Sequence, residues 1–209
     1  MKIVCLSDTH QHQRKIKVPE ADLIIHAGDF TYHGELDEVN KFLDWYGKLQ
    51  AKHKVVICGN HEVWISKYFQ QLQELCVNQG IHLLHNSHIT IEGLKIYGSP
   101  YSPTFGIGWA YQATPTELKS IYGNIDGDTD IVVTHGPAYG ILDKTLRGDL
   151  VGSPELTERL NELPNLKLHV TGHIHESRGV HVGKYTTVNA AICGIPYTDV
   201  LINPITVEI

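Results

Sequence analysis

The sequence predicts an α/β fold, and three observations carry that prediction. Short apolar runs rich in Val, Ile and Thr recur along the whole chain and read as strands. Helical periodicity fills several of the intervals between them. Some runs, such as "KIVCL" and "KVVIC", are continuous rather than alternating, as strands buried on both faces require.

The elements follow in order. "KIVCL" and "DLIIHA" open the chain as strands. "ELDEVNKFLDWYGKLQ" then places Leu36, Val39, Phe42, Leu43 and Tyr46 on one helical face. "KVVIC" is the next strand, followed by "VWISKYFQQLQELCVNQ", whose Ile65, Phe69, Leu72 and Cys76 or Leu75 form a second helical face. The first half therefore runs β-α-β-α-β. "IHLL", "ITI", "LKIYG", "DIVVTH", "LKLHVTG", "YTTVNAA" and "VLINPITVEI" make the second half richer in strands, with one helix at "PELTERLNEL", opened by proline after Ser153. The stretch "SPYSPTFGIGWAYQATPTELKSIY" begins as a long loop of Pro, Gly and aromatic residues, and loops of that length are often functional. No repeat or low-complexity linker divides the chain, so residues 1–209 are expected to form one domain.

Composition narrows the function classes. With 209 residues and 42% hydrophobic side chains, the chain can bury a substantial core. The net charge is −6 and no Lys/Arg block stands out, which argues against duplex nucleic acid or a membrane surface as partner. It does not argue against a phosphorylated substrate, because bound cations reverse the local field. Cys5, Cys58, Cys76 and Cys193 form no CxxC pair, which excludes a structural zinc framework and suits reduced, buried thiols. The chain enters a strand directly at "KIVCLSD" and no apolar run is long enough to span a bilayer, so a cytoplasmic protein is expected.

Histidine is the outlier, at 14 residues, and position matters more than number. "CLSDTH" ends on Asp8 and His10, "IIHAGD" on Asp29 and "VVICGNH" on Asn60 and His61. "IVVTHG" ends on His135, and "HVTGHIH" on His173 and His175. Each piece alone is an ordinary turn; five strand ends that each deliver metal-type ligands are not. In sheets with helical crossovers, ligands bind outside the carboxyl ends of strands, and parallel strands bring such ends together. The set Asp8, His10, Asp29, Asn60, His135, His173 and His175 mixes carboxylate, imidazole and amide oxygen. It suits Mn, Fe, Zn or Ni, and is too large for one tetrahedral ion. Two divalent metal ions sharing a carboxylate fit it, and such pairs stabilise both the attacking and the leaving oxygen of a phosphate-ester displacement.

"SDTH", "AGDF", "CGNHE", "VTHGP" and "TGHIH", in that order, resemble the blocks of the calcineurin-like metallophosphoesterase superfamily. "GDFTYHGELDEVNKFLDWYGKL", "THGPAYGILDKT" and "GHIHESRG" further resemble its small metallophosphoesterase-domain, brain-type subgroup. The resemblance implies a sandwich of two mixed β-sheets flanked by helices. It implies that Asp8, His10, Asp29 and His175 hold one ion, most readily Mn. Asp29 would bridge to a second ion held also by Asn60, His135 and His173, with a bridging hydroxide as nucleophile. It makes His61 the catalytic histidine that protonates or hydrogen-bonds a phosphoryl oxygen. Glu62 is expected behind it, as a carboxylate that orients the ring.

Substrate is less constrained. Protein phosphatases of the superfamily carry arginines at two positions that here read "GDFTYHG" and "ICGNHE", with Cys58 before the GNHE block. Fewer fixed charges favour a phosphodiester monoanion over a monoester dianion. Tyr101 and Trp109, in the aromatic loop, are candidates to stack a flat group such as a nucleobase of a cyclic nucleotide. A phosphomonoesterase, a nuclease and a non-catalytic scaffold of the same fold are the alternatives. An intact ligand set with His61 speaks against the scaffold. Arg147 and Arg178 are expected on the surface, and Asn189 is expected to support the "GHIH" block.

Overall fold

The computed structural model of the chain describes residues 1–194 and 203–209. The sequence-predicted run "VLINPITVEI" falls partly outside them. Its described portion forms a strand at Ile205–Glu208.

Two sheets face each other. The first contains β1 (Lys2–Leu6), β2 (Ala21–Ala27), β3 (Ala51–Ile57), β4 (His82–Leu83) and, last in the chain, β13 (Ile205–Glu208), in the order β13-β1-β2-β3-β4. β1, β2, β3 and β4 are mutually parallel, and β13 closes one edge antiparallel to β1. The second contains β5 (Ser87–Ile91), β6 (Leu94–Ser99), β9 (Ile131–Thr134), β10 (Leu168–Thr171), β11 (Gly179–Val182) and β12 (Thr186–Asn189). Its order is β11-β12-β10-β9-β6-β5, with the four inner strands parallel and both edges antiparallel. Both sheets are therefore mixed. A short parallel pair, β7 (Ser102–Pro103) and β8 (Gln112–Ala113), closes the aromatic loop.

The continuous apolar runs are explained by burial on both faces. Ile3 and Cys5 of β1 point into the layer between the sheets, with Leu23, Ile25, Val55, Ile57, Ile96, Ile131, Val133 and Val170. Val4 and Leu6 point the other way, onto Val39, Phe42, Leu43 and Tyr46 of helix α1 (Leu36–Gly47) and Leu72 and Cys76 of α2 (Phe69–Asn78). The second sheet is covered likewise by α3 (Pro115–Gly123) and α4 (Pro154–Glu162), through Leu118, Tyr122, Leu156 and Leu160. The result is a four-layer α/β/β/α arrangement.

Two sequence expectations need correction. Among the described residues the second half holds two helices rather than one. α3 starts where Thr114 and Glu117 form a reciprocal capping box ahead of Pro115, a start signal hidden at the end of the long aromatic loop. Leu36, placed on the buried face of α1, is exposed at the first turn, while Val39, Phe42, Leu43 and Tyr46 are buried.

The Tyr46 hydroxyl crosses from α1 to the sheet and donates to the Ile24 and Val55 carbonyl oxygens at 3.1 and 2.7 Å. Tyr46→Phe keeps the ring stack and removes only these bonds. It is expected to cost about 1 kcal/mol, read as a lower urea midpoint with an unchanged slope.

Candidate metal centre

Parallel pairing brings the ligand-bearing loops to one end. β1, β2 and β3 finish side by side and lead into Ser7–His10, Gly28–Tyr32 and Cys58–Glu62. β9 and β10 finish beside each other and lead into His135 and into His173 and His175. The two sheets touch at this end. Ser7 bridges Ala191, and Ile192 N–H donates to the Ser7 carbonyl at 2.9 Å. His135 donates from Nδ1 to the Ala27 carbonyl of the other sheet at 2.9 Å.

The turns are tight enough to leave ordinary backbone territory. Asp8, His10, Asp29 and His173 have φ of 53°, 37°, 57° and 67°. Each such residue costs on the order of 1–2 kcal/mol unless its surroundings enforce the conformation. Gly28 supplies the permissive residue between β2 and Asp29: its φ is 96°, and a Cβ there would lie 2.6 Å from the Cys58 carbonyl oxygen.

The structure brings all seven proposed ligands together. Among the described residues, three groups of potential donor atoms each lie within 4.8 Å of one another: Asp8 with His10 and His175, Asp29 with His135 and His173, and His10 with Asp29 and His61. His175 Nε2 is 3.2 Å from Asp8 Oδ1 and 3.4 Å from His10 Nε2. His135 Nε2 is 3.2 Å from Asp29 Oδ2 and 2.8 Å from Asn60 Oδ1. Ligands about 2.1 Å from a common ion at right angles are roughly 3 Å apart, so these spacings match edges of a coordination shell.

The proton inventory gives the same reading. His10 and His135 each place Nδ1 on a backbone carbonyl, of Thr31 at 3.2 Å and of Ala27 at 2.9 Å, which turns Nε2 inward. At His135 the inward nitrogen faces two oxygen acceptors, so a proton or a cation has to lie between them. Burial works against charging His135, but the Asp29 carboxylate outweighs it and raises its pKa to about 9. His175 is raised in the same way against burial, by Asp8. Asp8 and Asp29 are held well below the usual carboxylate range, burial being overruled by His175 and His135 respectively. His10 is lowered to about 4, because burial and the neighbouring His61 and His175 outweigh the pull of Asp29 and Asp8. These residues fit a divalent cation, because a cation can replace the protons now shared among them.

His61 projects from the same loop as Asn60 and faces the cluster, with Nε2 3.9 Å from Asp29 Oδ2. Its Nδ1 is held at 2.8 Å by the carbonyl of Tyr32. The expectation that Glu62 orients the ring is therefore corrected. The Glu62 carboxylate is fully buried and bonds elsewhere. Oε2 accepts from Gly59 N–H at 2.6 Å and Asp29 N–H at 3.0 Å. Oε1 accepts from Thr31 N–H at 3.0 Å and the Thr31 hydroxyl at 2.8 Å. Glu62 is a clamp between two ligand loops. Burial and the Asp29 charge raise its pKa, while the bonds from Gly59 and Thr31 pull it down, and four donors with no acceptor for a carboxyl proton hold it as the carboxylate. Thr31 and Tyr32, which hold His10, His61 and Glu62 in place, were in the "GDFTYHG" segment but received no role there.

The aromatic loop forms one rim. Trp109 packs on His61 with ring centroids 4.5 Å apart, and Phe105 on His173 at 4.8 Å. Tyr101, proposed as a stacking residue, is instead drawn into a cluster with His85 and Tyr111, and its carbonyl accepts the Tyr122 hydroxyl. Phe105 takes the rim position expected of Tyr101. The loop is a closed turn: Gln112 bonds the backbones of Phe105, Gly106 and Trp109, and Ala110 N–H donates to the Asn60 carbonyl at 3.0 Å.

Cys58 does not face the centre. It is buried in the α1/α2-side core beside the Tyr111 hydroxyl, so its identity reports packing rather than phosphate recognition. Arg147 is exposed. Arg178 is spent on the Ala191 and Asn203 carbonyls. Asn189 donates to the Leu142 and Ile174 carbonyls, supporting the turn before His175.

The family model described as calcineurin-like phosphoesterase matches residues 1–177. The chain is 36% identical over 225 aligned residues to the metallophosphoesterase domain-containing protein 1 of Homo sapiens, covering 95% of this chain and 68% of that one. The Mus musculus protein of the same name gives the same figures. Among solved structures, TT1561 of Thermus thermophilus is similar over 91% of this chain and 88% of its own, with TM-score 0.65 and 14% identity. A structure titled as a novel archaeal phosphodiesterase is similar over 92% of this chain and 85% of its own, with TM-score 0.51 and 19% identity. At such identities these two structures speak for the fold.

Because each Glu62 oxygen accepts two bonds, an amide cannot replace the carboxylate without turning its NH2 toward N–H donors. Glu62→Gln is expected to destabilise the protein by roughly 2–4 kcal/mol, measured by urea unfolding, with a loss far larger than that of Tyr46→Phe.

Proposed function

The chain belongs to the calcineurin-like phosphoesterases, metal-dependent hydrolases of phosphate esters, and from that premise we propose that it is a phosphodiesterase acting on small diesters at a two-metal centre. The observation that carries this reading is the position of Asp29. Its carboxylate belongs to the group with His135 and His173 and also to the group with His10 and His61. One carboxylate shared by two donor sets is what two neighbouring ions require.

Asp8, His10 and His175 would hold one ion and Asn60, His135 and His173 the other, with Asp29 common to both. Manganese is the first candidate, with Fe, Zn or Ni as others. When bound, the ions supply Lewis acidity to the phosphoryl oxygens and lower the pKa of water at the centre.

The protein's own residues supply the rest. The Tyr32 carbonyl fixes the His61 ring through Nδ1, leaving Nε2 toward the cluster. Protonated His61 donates from Nε2 to the leaving oxygen, which otherwise departs as an unstable alkoxide. Trp109 covers the other side of that ring and limits water around it. Preference for diesters rests on charge. Arg178 is occupied by carbonyls, so it offers no fixed cation to a second phosphoryl charge. Cyclic nucleotides are one substrate class compatible with this. A cytoplasmic setting is part of the same proposal and suits four free, buried cysteines. No helix among the described residues is long and apolar enough to cross a membrane.

Bis(4-nitrophenyl) phosphate should be hydrolysed with a higher kcat/KM than 4-nitrophenyl phosphate in the presence of Mn²⁺. Absence of hydrolysis with Mn, Ni, Fe and Zn in folded protein defeats the proposal, and a monoester preference defeats its diester part. His61→Ala should keep its metal content and lose roughly 10²- to 10⁴-fold in kcat on a diester with an alkyl leaving group, which needs the proton, and much less on bis(4-nitrophenyl) phosphate, whose phenolate departs without one. Loss of metal from that variant would instead make His61 a ligand.

Metal binding should release protons. His135, raised to about 9, carries a proton below that pH in the metal-free chain, and a cation must displace it. Affinity is therefore expected to rise with pH up to about 9. At pH 7, calorimetric titration in two buffers of different ionisation enthalpy should report about one proton or more released per protein.

A further inference from the structure

A groove lies against Trp109, the ring that packs on His61. It has a volume of about 270 Å³ and is lined by His33, Glu35, Val63, Trp64, Ile107 and Trp109. Nothing in the packing of the core calls for its composition. Trp64 is 49% exposed and Ile107, at the tip of the aromatic loop, is fully exposed. Large apolar side chains gathered at a concave surface next to a reactive centre mark a binding site more often than a plain surface.

Position connects this groove to the reaction. Val63 and Trp64 follow His61 and Glu62 in the chain, and Trp109 is shared, packing on the His61 ring while lining the groove. The backbone that carries the walls is fixed before anything binds. Trp64 N–H donates to the His33 carbonyl at 2.9 Å, and the loop bearing Ile107 and Trp109 is held by Gln112 and by Ala110 N–H on the Asn60 carbonyl. Preorganised aromatic walls bind a flat group without a large ordering cost.

Size and charge define the occupant. Whole small-molecule sites occupy roughly 300–1,000 Å³, so a groove of about 270 Å³ suits one ring system rather than an entire substrate. Its lining holds one carboxylate, Glu35, and neither lysine nor arginine, which disfavours a second anionic group.

On the proposed phosphodiesterase reading, we propose that this groove is the leaving-group subsite: the alcohol released from the diester is carried by an uncharged, flat aromatic group seated between Trp64, Ile107 and Trp109. The scissile oxygen then lies on the His61 side of the site, where the departing alkoxide takes its proton. A nucleoside meets this description through its base, and so does a simple aryl alcohol. A nucleotide bearing a further phosphate on that side does not.

Binding is tested separately from turnover. Protein without added metal is titrated with 4-nitrobenzyl alcohol, an uncharged flat ring, and with 4-nitrobenzoate, its anionic counterpart, following tryptophan fluorescence. Saturable quenching by the alcohol is expected, weakened about tenfold by Ile107→Ser, with 4-nitrobenzoate binding at least about tenfold more weakly. Glu35→Gln should narrow that gap by strengthening binding of the anion alone. Absence of saturable quenching, or equal binding of alcohol and anion, overturns the proposal. Turnover then assigns the ester group. Trp64→Ala should raise KM about tenfold for both bis(4-nitrophenyl) phosphate and ethyl 4-nitrophenyl phosphate, which share the leaving group. An effect that disappears with the ethyl ester places the non-leaving group in the groove and overturns the assignment. Failure of the hydrolase reading has a different signature: neither diester is turned over with metal, while ring binding to the groove persists.

Discussion

The open end of the sandwich depends on how one buried carboxylate is satisfied. Glu62 receives Gly59 N–H, Asp29 N–H, Thr31 N–H and the Thr31 hydroxyl, and thereby ties the loop after β2 to the loop after β3. A buried charge is tolerated only when fully hydrogen-bonded, and an incompletely bonded one is worse than none. The requirement works in both directions. The loops must close to satisfy Glu62, and once closed they hold Asp29 at φ 57° with its carboxylate aimed at His135. His61 N–H, from the adjacent residue, donates to Asp29 Oδ1 at 2.8 Å, so the shared carboxylate is positioned from both its backbone and its side chain.

The remaining ligands are fixed by contacts that cross between the sheets. Asp8 receives His173 N–H at 3.0 Å, His135 reaches the Ala27 carbonyl, and β1 continues into a bridge between Ser7 and Ala191. Each of these connects a residue of one sheet to a residue of the other. The centre is therefore the seam of the sandwich, and Asp8, Asp29 and Glu62 bring three carboxylates to it. The charges of Asp8 and Asp29 are met by protons on His135 and His175, which burial alone would remove. The carboxylates that hold these protons against the desolvation of their carriers would attract a cation in the same way, and the cation has to displace the protons to bind.

The ligand set was legible in the sequence because strand ends are legible: an apolar run that stops at Asp, Asn or His declares both its end and its chemistry. The two-faced burial of β1 was visible in the same way, as a run without alternation. What was not legible depends on direction rather than identity. Glu62 follows His61 in the chain, yet its side chain turns back under the Asp29 loop, and only the left-handed turns of that loop make the donors converge. The Tyr32 carbonyl that orients His61 is a backbone atom and leaves no residue-type signal at all. Cys58 is different, since alternation did contain the answer. It lies two residues after Val56, and both face the α1/α2 side, while Val55 and Ile57 face the other sheet. The start of α3 was likewise written in Thr114, Pro115 and Glu117, but the glycine- and aromatic-rich residues before it drew the whole stretch into one loop.

The donor atoms and the aromatic rim beside them come from different kinds of structure. Every proposed metal ligand, and His61, sits within a few residues of a strand that is hydrogen-bonded on both sides. Such positions cannot shift without disturbing the sheet register and the layer between the sheets. Phe105, Ile107 and Trp109 come from a single turn whose internal bonds run through one side chain, Gln112, and which meets the ligand loops through Ala110 and Asn60. A change of sequence or length within that turn alters what lies over His61 and His173 while leaving the donor atoms where they are. The fold therefore separates the donor atoms, held by the sheets, from the turn that lies over His61 and His173, and that turn is short, contiguous and open to solvent.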